Sequence, residues 1–411
     1  MTDRRSILKA LGATAATASL GVGVSATSDD STSDGATTDG TTSDASQKQS
    51  YDWRTDPPGE GYPYTTRVYD QRIFAASGDT VSRLNIESGD VEWETQVSED
   101  VSFHDVAVNV EVGQQSAIIA AADGVVYAFD RIEGTQKWKA QLDWEHGTTG
   151  VAPHSGHMFV GSHDADGNGA MYCLDTDDGH VVWKSTGTCG DSYATLTTPL
   201  ADGDVYFGSN TPDSENATLY ALDSSSAERK WSKTGYPVFS MATDEGTETL
   251  YVGLFAEADE TVVALDGDDG TVRWSQDTVG EYPEYEMTVD HLTEVDGDLY
   301  GVAYRGGADA PTDQKLFSLS AQNEGTVRWR TDVDDGDGAL TTPVLYTSQD
   351  SKTCYVASSD SKAYRVDPST GNVVRTIDTD GPVVDQTPVT DDRLFVGTPD
   401  GNVTAYLRGT E

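Results

Sequence analysis

Asp123-Gly-Val-Val-Tyr-Ala-Phe-Asp130, followed by Gly134-Thr-Gln-Lys-Trp138, is the stretch on which the fold is read. A run of β-branched and aromatic residues lies between Asp-Gly and a polar turn, the pattern of a short strand entering a hairpin. Both halves recur. The second returns as Gly89-Asp-Val-Glu-Trp93, Gly179-His-Val-Val-Trp183, Ala227-Glu-Arg-Lys-Trp231, Gly270-Thr-Val-Arg-Trp274 and Gly325-Thr-Val-Arg-Trp329. The first returns with its closing Asp as Tyr172-Cys-Leu-Asp175, Leu219-Tyr-Ala-Leu-Asp223, Val263-Ala-Leu-Asp266 and Tyr364-Arg-Val-Asp367. A further copy, Gly371-Asn-Val-Val-Arg375, carries Arg in place of Trp, and Tyr51-Asp-Trp53-Arg-Thr55 is a Trp strand with no repeat before it.

Counted on the Trp position, successive copies are 40, 45, 45, 48, 43, 55 and 46 residues apart. That period is the size of a four-stranded propeller blade. Within one repeat, Thr197-Thr-Pro-Leu200 predicts an inner strand, Ala201 to Asp204 a turn, and Val205-Tyr-Phe-Gly208 a second strand. Leu219 to Asp223 and Lys230-Trp231-Ser232 predict the third and fourth. No amphipathic helical period appears in the repeats. At the C-terminus, Arg393-Leu-Phe-Val-Gly397 and Val403-Thr-Ala-Tyr406 supply strands of a last unit that lacks its Trp strand, and Tyr51 to Thr55 supply the missing one. The expected fold is all-β: an eight-bladed β-propeller of four-stranded antiparallel blades, closed by the N-terminal strand so that no sheet edge is left open. Seven blades with Trp53 outside the repeat is the competing count.

These repeats resemble the pyrroloquinoline-quinone-type (PQQ-like) β-propeller family, whose units run Asp-Gly-x-Val-Tyr-Ala-Leu-Asp and then Gly-x-x-x-Trp; residues 123 to 138 carry the match, and the resemblance covers residues 51 to 411. It implies that Trp53, Trp93, Trp138, Trp183, Trp231, Trp274 and Trp329 are structural and dock between neighbouring blades. Their regular period also suits packing better than carbohydrate stacking. The family spans quinoprotein dehydrogenases, an outer-membrane assembly scaffold lipoprotein and many binding proteins, so the resemblance does not by itself fix a function.

Composition narrows the classes. Seventy acidic against 26 basic residues give a formal charge of −44 over 411 residues. Carboxylates spread evenly along the chain keep a protein soluble in high salt, which reads as the surface of a halophile's protein, from a salt-loving archaeon. No basic stripe exists to bind nucleic acid. Asp3-Arg4-Arg5-Ser6-Ile7-Leu8-Lys9, an apolar stretch from Ala10 to Val24 and Val24-Ser25-Ala26 read as a twin-arginine signal peptide over residues 1–26. Residues 27–50 are almost wholly Ser, Thr, Asp, Gly and Ala and predict a disordered stalk. No later run reaches transmembrane length, so the expected protein is exported by the twin-arginine route to the cell surface or medium, not membrane-spanning, and monomeric. Asn216-Ala-Thr218 and Asn402-Val-Thr404 are glycosylation sequons.

The search for chemistry gives little. Cys173, Cys189 and Cys354 form no CxxC or haem-attachment motif, and Cys173 with Cys189 is one pairing that a single blade allows. The resemblance implies that a quinoprotein dehydrogenase would be longer, would in several subfamilies hold its cofactor on adjacent cysteines, and would place calcium beside a catalytic Asp. Adjacent cysteines are absent here, so pyrroloquinoline quinone is not expected. Asp164-Ala-Asp166-Gly-Asn168-Gly169 with Asp175 has the oxygen spacing of a calcium loop, with Asp where Glu is usual at the last position; an acidic surface hairpin is the alternative. His154 and His157 flank a turn and lack a third ligand. Using the inner strands as register, the loop positions leading into the channel mouth are His104, His146, Tyr193, Phe239, Tyr285, Asp337 and Asp385. Aromatics beside carboxylates suit a small polar ligand, a peptide or a cation. The expected function is a ligand-binding or protein-scaffolding module of the cell envelope, partnered by envelope proteins or a small polar ligand. A calcium-dependent quinoprotein-type oxidoreductase acting on alcohols or sugars is the alternative; no catalytic residues are assigned.

Overall fold

The computed structural model describes residues 51–55, 63–97, 101, 103–109, 116–121, 124–143, 146–148, 151–154, 156–163, 169–186, 193–196, 203–210, 217–244, 246–255, 260–277, 287–305, 312–333, 338–347, 352–383, 387–390, 392–398 and 402–407. The expected signal peptide and stalk lie outside them. Among the described residues every regular element is a strand. β1 (Tyr51–Thr55) precedes a first sheet of β2 (Pro63–Tyr69), β3 (Arg72–Ser77), β4 (Thr80–Asn85) and β5 (Val91–Gln96). The second holds β6 (Phe103–Asn109), β7 (Ser116–Ala121), β8 (Val125–Asp130) and β9 (Gln136–Gln141). The third holds β10 (His146–Thr148) and β11 (Ala152–His154), both on β12 (His157–His163), then β13 (Gly169–Asp175) and β14 (Val181–Thr186). The fourth is β15 (Tyr193–Leu196), β16 (Asp204–Asn210), β17 (Thr218–Asp223) and β18 (Arg229–Thr234); the fifth is β19 (Val238–Asp244), β20 (Thr249–Leu254), β21 (Val262–Asp266) and β22 (Val272–Gln276). The sixth is β23 (Thr288–Val295), β24 (Asp298–Arg305), β25 (Thr312–Ser320) and β26 (Thr326–Thr331); the seventh is β27 (Val344–Thr347), β28 (Lys352–Ser358), β29 (Lys362–Val366) and β30 (Val373–Asp378). The eighth joins β31 (Arg393–Gly397) and β32 (Val403–Leu407) to β1.

The first seven sheets are antiparallel meanders, and the third strands β8, β13, β17 and β21 read as nearly continuous apolar runs. β8, β13 and β17 are buried along almost their whole length because neighbouring sheets cover both faces. The fourth strands β5, β18 and β22 are mostly exposed. Eight apolar clusters fill the spaces between sheets. Seven join each sheet to the next in chain order, and the eighth packs Phe395, Val403 and Ala405 of the last sheet on Ile73, Ala75 and Leu84 of the first, with Trp53 between them.

The repeat earns its tryptophan at these interfaces. Each indole leaves its fourth strand and donates its Nε1 hydrogen to a carbonyl in the turn after the third strand of the following sheet. The pairs are Trp53 to Ile86, Trp93 to Arg131, Trp138 to Thr176, Trp183 to Ser224, Trp231 to Gly267, Trp274 to Ala321 and Trp329 to Pro368, at 2.7–3.2 Å. For six of the seven the ring lies on the turn's glycine; the turn that receives Trp183 has Ala227 at that place. At Gly134 a Cβ would stand 2.6 Å from the Trp93 ring, and φ there is +72°, so both space and backbone demand glycine. The strand-closing acid makes the turn: Asp130 Oδ1 accepts the backbone N–H of Ile132 and Glu133, and Asp223 and Asp367 do the same for their turns.

Two departures from the repeat have structural readings. In the fourth strands one residue, just before the Trp position, is bulged out of register with the third strand. β1 has the same bulge at Asp52 against β32, and Asp52 pairs with Arg393 at the start of β31 (2.9 Å), as Lys230 pairs with Asp204 and Arg328 with Asp298. β1 is therefore built as a fourth strand. Arg375 holds the Trp position on β30, facing the eighth sheet. There the third strand is β32 and the fourth is β1, from opposite ends of the chain, so no hairpin turn joins them and an indole would have no such seat.

The expected inner strand at Thr197–Leu200 lies outside the described residues; the first strand described in that sheet is β15, which ends at Leu196. A Gly134→Ala substitution should cost about 2–4 kcal/mol through left-handed strain and overlap with Trp93. Trp93→Phe should cost about 1–2 kcal/mol, mainly the lost hydrogen bond. Chemical denaturation at constant salt measures both; an unchanged midpoint for Gly134→Ala would contradict this account of the dock.

Candidate functional site

The first strands of neighbouring sheets lie against one another, β2 on β6, β15 on β19 and β19 on β23, so they are the inner strands of the assembly. They are also irregular. β2, β6, β10, β19 and β23 each break register with the second strand of their sheet. A bulge turns a side chain away from the regular alternation and is a common device beside binding sites.

His104 falls at the bulge of β6, between Phe103 and Asp105, and Phe239 at the bulge of β19, between Val238 and Ser240. His146 opens β10 and Tyr193 opens β15. These four stand on strands, not in the loops before them, because each inner strand pairs out to the tip of its neighbour: Phe103 with Ala121, His146 with His163, Tyr193 with Asn210 and Val238 with Leu254. Tyr285, Asp337 and Asp385 lie outside the described residues. Phe239 meets Phe255 edge-on at 4.6 Å between ring centroids and Tyr304 of the sixth sheet at 6.2 Å. This aromatic group ties the ends of β19, β20 and β24 together, and the hydroxyl of Ser240 donates to the Val289 carbonyl to bring β23 alongside.

Two residues beyond Val289's neighbour Thr288, which pairs with Tyr304, stands a polar group that the sequence did not single out. His291 takes φ +57° in the bulge of β23. Its backbone N–H donates to Asp290 Oδ1 (2.6 Å), its Nε2 lies 3.3 Å from Asp290 Oδ2, and its Nδ1 is 3.0 Å from the buried Thr342 hydroxyl. Burial raises the Asp290 carboxyl's pKa, against the pull of the adjacent imidazole and its backbone N–H. A left-handed histidine is uncommon, and such strain collects where a side chain must be aimed. An acid, an imidazole and a hydroxyl held together in this way can hold a polar ligand in orientation.

The calcium reading needs correction. Asp164, Asp166 and Asn168 lie outside the described residues, but Asp175 is placed clearly. β13 is extended from Gly169 to Asp175, pairing His163 with Gly169 and His157 with Asp175. Six steps of strand separate the two ends by about 20 Å, so Asp175 cannot curl back to that loop. It sits instead with Asp178 and His180, their ligand atoms within 4.8 Å of one another, and its Oδ1 accepts the Asp177 N–H as the repeat's turn acid. The described cysteines do not fit a quinone cradle. Cys173 faces Trp183 across β13 and β14, Cys354 lies on β28, and both are buried free thiols pushed up to about 12 by desolvation.

At the far end of β23, burial and the neighbouring Asp244 and Asp296 raise Glu294 from 4.5 to about 7, against the Gly297 N–H and Lys352. A carboxyl raised by folding favours the folded state when protonated, so its contribution declines as pH climbs from about 4.5 to about 7. Glu294→Gln, which can still accept the Gly297 N–H, should therefore raise the melting temperature at pH 8 and leave it unchanged near pH 4. Equal melting of the two proteins at pH 8 would contradict this.

No curated protein matches the sequence. Among solved structures the chain is similar to BamB from Moraxella catarrhalis, at 17% identity over 87% of this chain and 99% of that one, with a TM-score of 0.61. It is also similar to the quinohemoprotein alcohol dehydrogenase from Comamonas testosteroni, at 14% identity over 89% of this chain and 77% of that one (TM-score 0.65). Saccharomyces cerevisiae Sqt1 is similar too, at 10% identity over 89% and 97% of the two chains (TM-score 0.62). At such identities the likeness is one of propeller fold. Residues 122–307 and 312–410 match the family of the outer membrane protein assembly factor BamB, and the chain belongs to that family.

Proposed function

We propose that this protein is an exported binding scaffold of a halophile's cell envelope, carried out by a twin-arginine signal and held on a Ser/Thr/Asp-rich stalk. Its body is read as an eight-bladed propeller in which β1 completes the last blade. The cyclic order of the eight apolar clusters and the outer-strand bulge at Asp52 support that reading. The observation that carries the function is membership of a family described by an assembly factor, on a frame whose sheets are pinned one to the next by indole hydrogen bonds. A rigid frame of this kind presents its loops and inner-strand side chains in fixed relation, which lowers the ordering cost of binding. The aromatic and polar group on β19, β23 and the Thr342 segment is the proposed contact for a peptide or small polar ligand.

A photo-cross-linking residue replacing Phe239, in the protein at its own cell surface, should capture a discrete envelope protein, and one replacing the exposed Val374 should not. Identical, diffuse products from both positions would count against a specific scaffold. Calorimetric titration of the mature protein in high salt with pyrroloquinoline quinone and calcium should show no saturable heat. One-to-one binding would replace the scaffold with the oxidoreductase reading. Removing residues through Thr55 should lower stability by at least about 3 kcal/mol, the burial of Trp53 alone. An unchanged melting curve would leave the last blade without β1.

A further inference from the structure

The first and second sheets break the repeat in a way that their packing does not require. Opposite each docking Trp, the third strand carries a small residue: Ala128, Cys173, Ala221, Ala264, Ser318 and Ala405 face Trp138, Trp183, Trp231, Trp274, Trp329 and Trp53. The first sheet places an arginine there, Arg83 opposite Trp93; the seventh sheet, which has no Trp, has Arg365 opposite Arg375. In the turn where Trp93 docks, the acceptor residue is Arg131, where the other turns have Ile86, Thr176, Ser224, Gly267, Ala321 and Pro368. These two exceptions meet. Arg83 Nη1 donates to the Arg131 carbonyl at 2.8 Å, and both guanidinium groups are largely buried, with 12% and 13% of their side chains exposed.

A third arginine joins them. Arg72 and Arg83 both lie against Glu92, at 2.6 and 2.8 Å, and Asn85 donates to the same carboxylate, which holds its pKa below the usual range despite burial. Arg72 also donates to the Gln71 carbonyl. Glu92 is thus shared by two guanidinium groups. Arg131 has Asp70, at 3.5 Å and mostly exposed, and lies over the Tyr69 ring at 4.8 Å; its Nε is buried without a hydrogen-bond partner. Three arginines against two carboxylates leave a local positive excess on a chain whose formal charge is −44. The exposed Ile132 borders the group.

We propose that Arg72, Arg83 and Arg131, with Tyr69 and Ile132 beside them, form a docking site for a carboxylate side chain on an acidic segment of a partner protein. The planar fork of a guanidinium matches a carboxylate with two parallel hydrogen bonds, and Arg131 carries the least compensated charge of the three. At about 1 M salt the screening length is about 3 Å, so attraction over distance vanishes and a charged contact survives only at hydrogen-bonding range in a partly buried site. Arg83, where other docking sheets carry Ala, Cys or Ser, and Arg131, where other turns carry uncharged residues, are buried enough to meet that requirement. The inference deepens the scaffold reading by naming the chemistry of one contact.

The fold itself supplies conservative variants. Arg83→Ala restores the small residue of the other sheets, and Arg131→Thr restores the third sheet's turn residue, Thr176. The probe is an acetylated, amidated hexapeptide alternating Glu and Leu, titrated calorimetrically into the whole mature protein in 1 M KCl, with its Gln analogue and inorganic phosphate as separate titrants. The Glu peptide should bind saturably, the Gln analogue and phosphate at least tenfold more weakly. Each variant should lose at least tenfold in affinity with melting temperature nearly unchanged. Absence of Glu-peptide binding to the native protein would overturn the proposal, even where the Phe239 cross-link to an envelope protein persists. So would variants that lose stability yet keep affinity, which would make the arginines a brace between sheets, or phosphate binding as tightly as the peptide.

Discussion

Everything in this structure depends on one contact: an indole from one sheet lying on the turn of the next, its N–H on that turn's carbonyl and its ring against that turn's glycine. Four-stranded sheets on their own expose two apolar faces and gain little by folding. The dock sets the distance and angle at which one sheet's face meets its neighbour's, and the intervening apolar residues fill the gap thus defined. It also explains why the turn has a fixed composition. The acid that closes the third strand caps the turn, the glycine gives the left-handed step, and the residue between them offers only its carbonyl. Where Thr stands two places after Trp, as at Thr55, Thr95 and Thr331, its hydroxyl donates to the glycine carbonyl and strengthens the same seat. Ala227 holds φ +59° at one such turn without being glycine, and nothing in the structure explains that choice.

Much of this was legible in the chain because the features that build the dock are consecutive in sequence. Gly-x-x-x-Trp and the closing Asp are local, periodic and chemically unusual, so strand type and period could be read directly, and the resemblance they carry implied the role of seven tryptophans. The inner strands were harder. Their residues are mixed in polarity, and their extent is set by the partner strand's length, which no local pattern records. Phe239 was found by register alone, whereas Asp290, His291 and Thr342 were not: His291 owes its place to a bulge and a left-handed φ, and Thr342 meets it from another sheet. The calcium spacing failed for an instructive reason. Counting to Asp175 assumed a curled loop, although Tyr172-Cys-Leu-Asp175 had the apolar pattern of a third strand, and a strand carries its two ends apart.

The exceptions to the repeat fall into two kinds. Arg375 differs because its surroundings differ: the sheet it faces has no hairpin at that corner. Arg83 and Arg131 differ although their surroundings are the repeat's own, and they bury charge where alanine or threonine serves elsewhere. In an array of near-identical units each copy is a control for the others, so a costly residue at a position that six copies fill cheaply points away from folding and toward recognition.

The pairing of β1 with β32 has a consequence for the order in which the molecule can form. Arg54 lies opposite Thr404, so the last sheet needs residues at both ends of the described chain. The seven preceding sheets are hairpins of neighbouring residues, contacts of short sequence separation that form early and fast. The eighth cannot begin until the C-terminal strands have left the ribosome. Loop-closure entropy makes the delay less severe than the separation suggests, since each doubling of loop length adds only about 0.6 kcal/mol. Until then β32 shows a bare edge and the first sheet lacks the indole that would rest on Gly89, so the nascent chain is an open array with one sticky end at each terminus. The annealing of β1 onto β32 is thus the last step of assembly, and it needs both ends of the described chain at once.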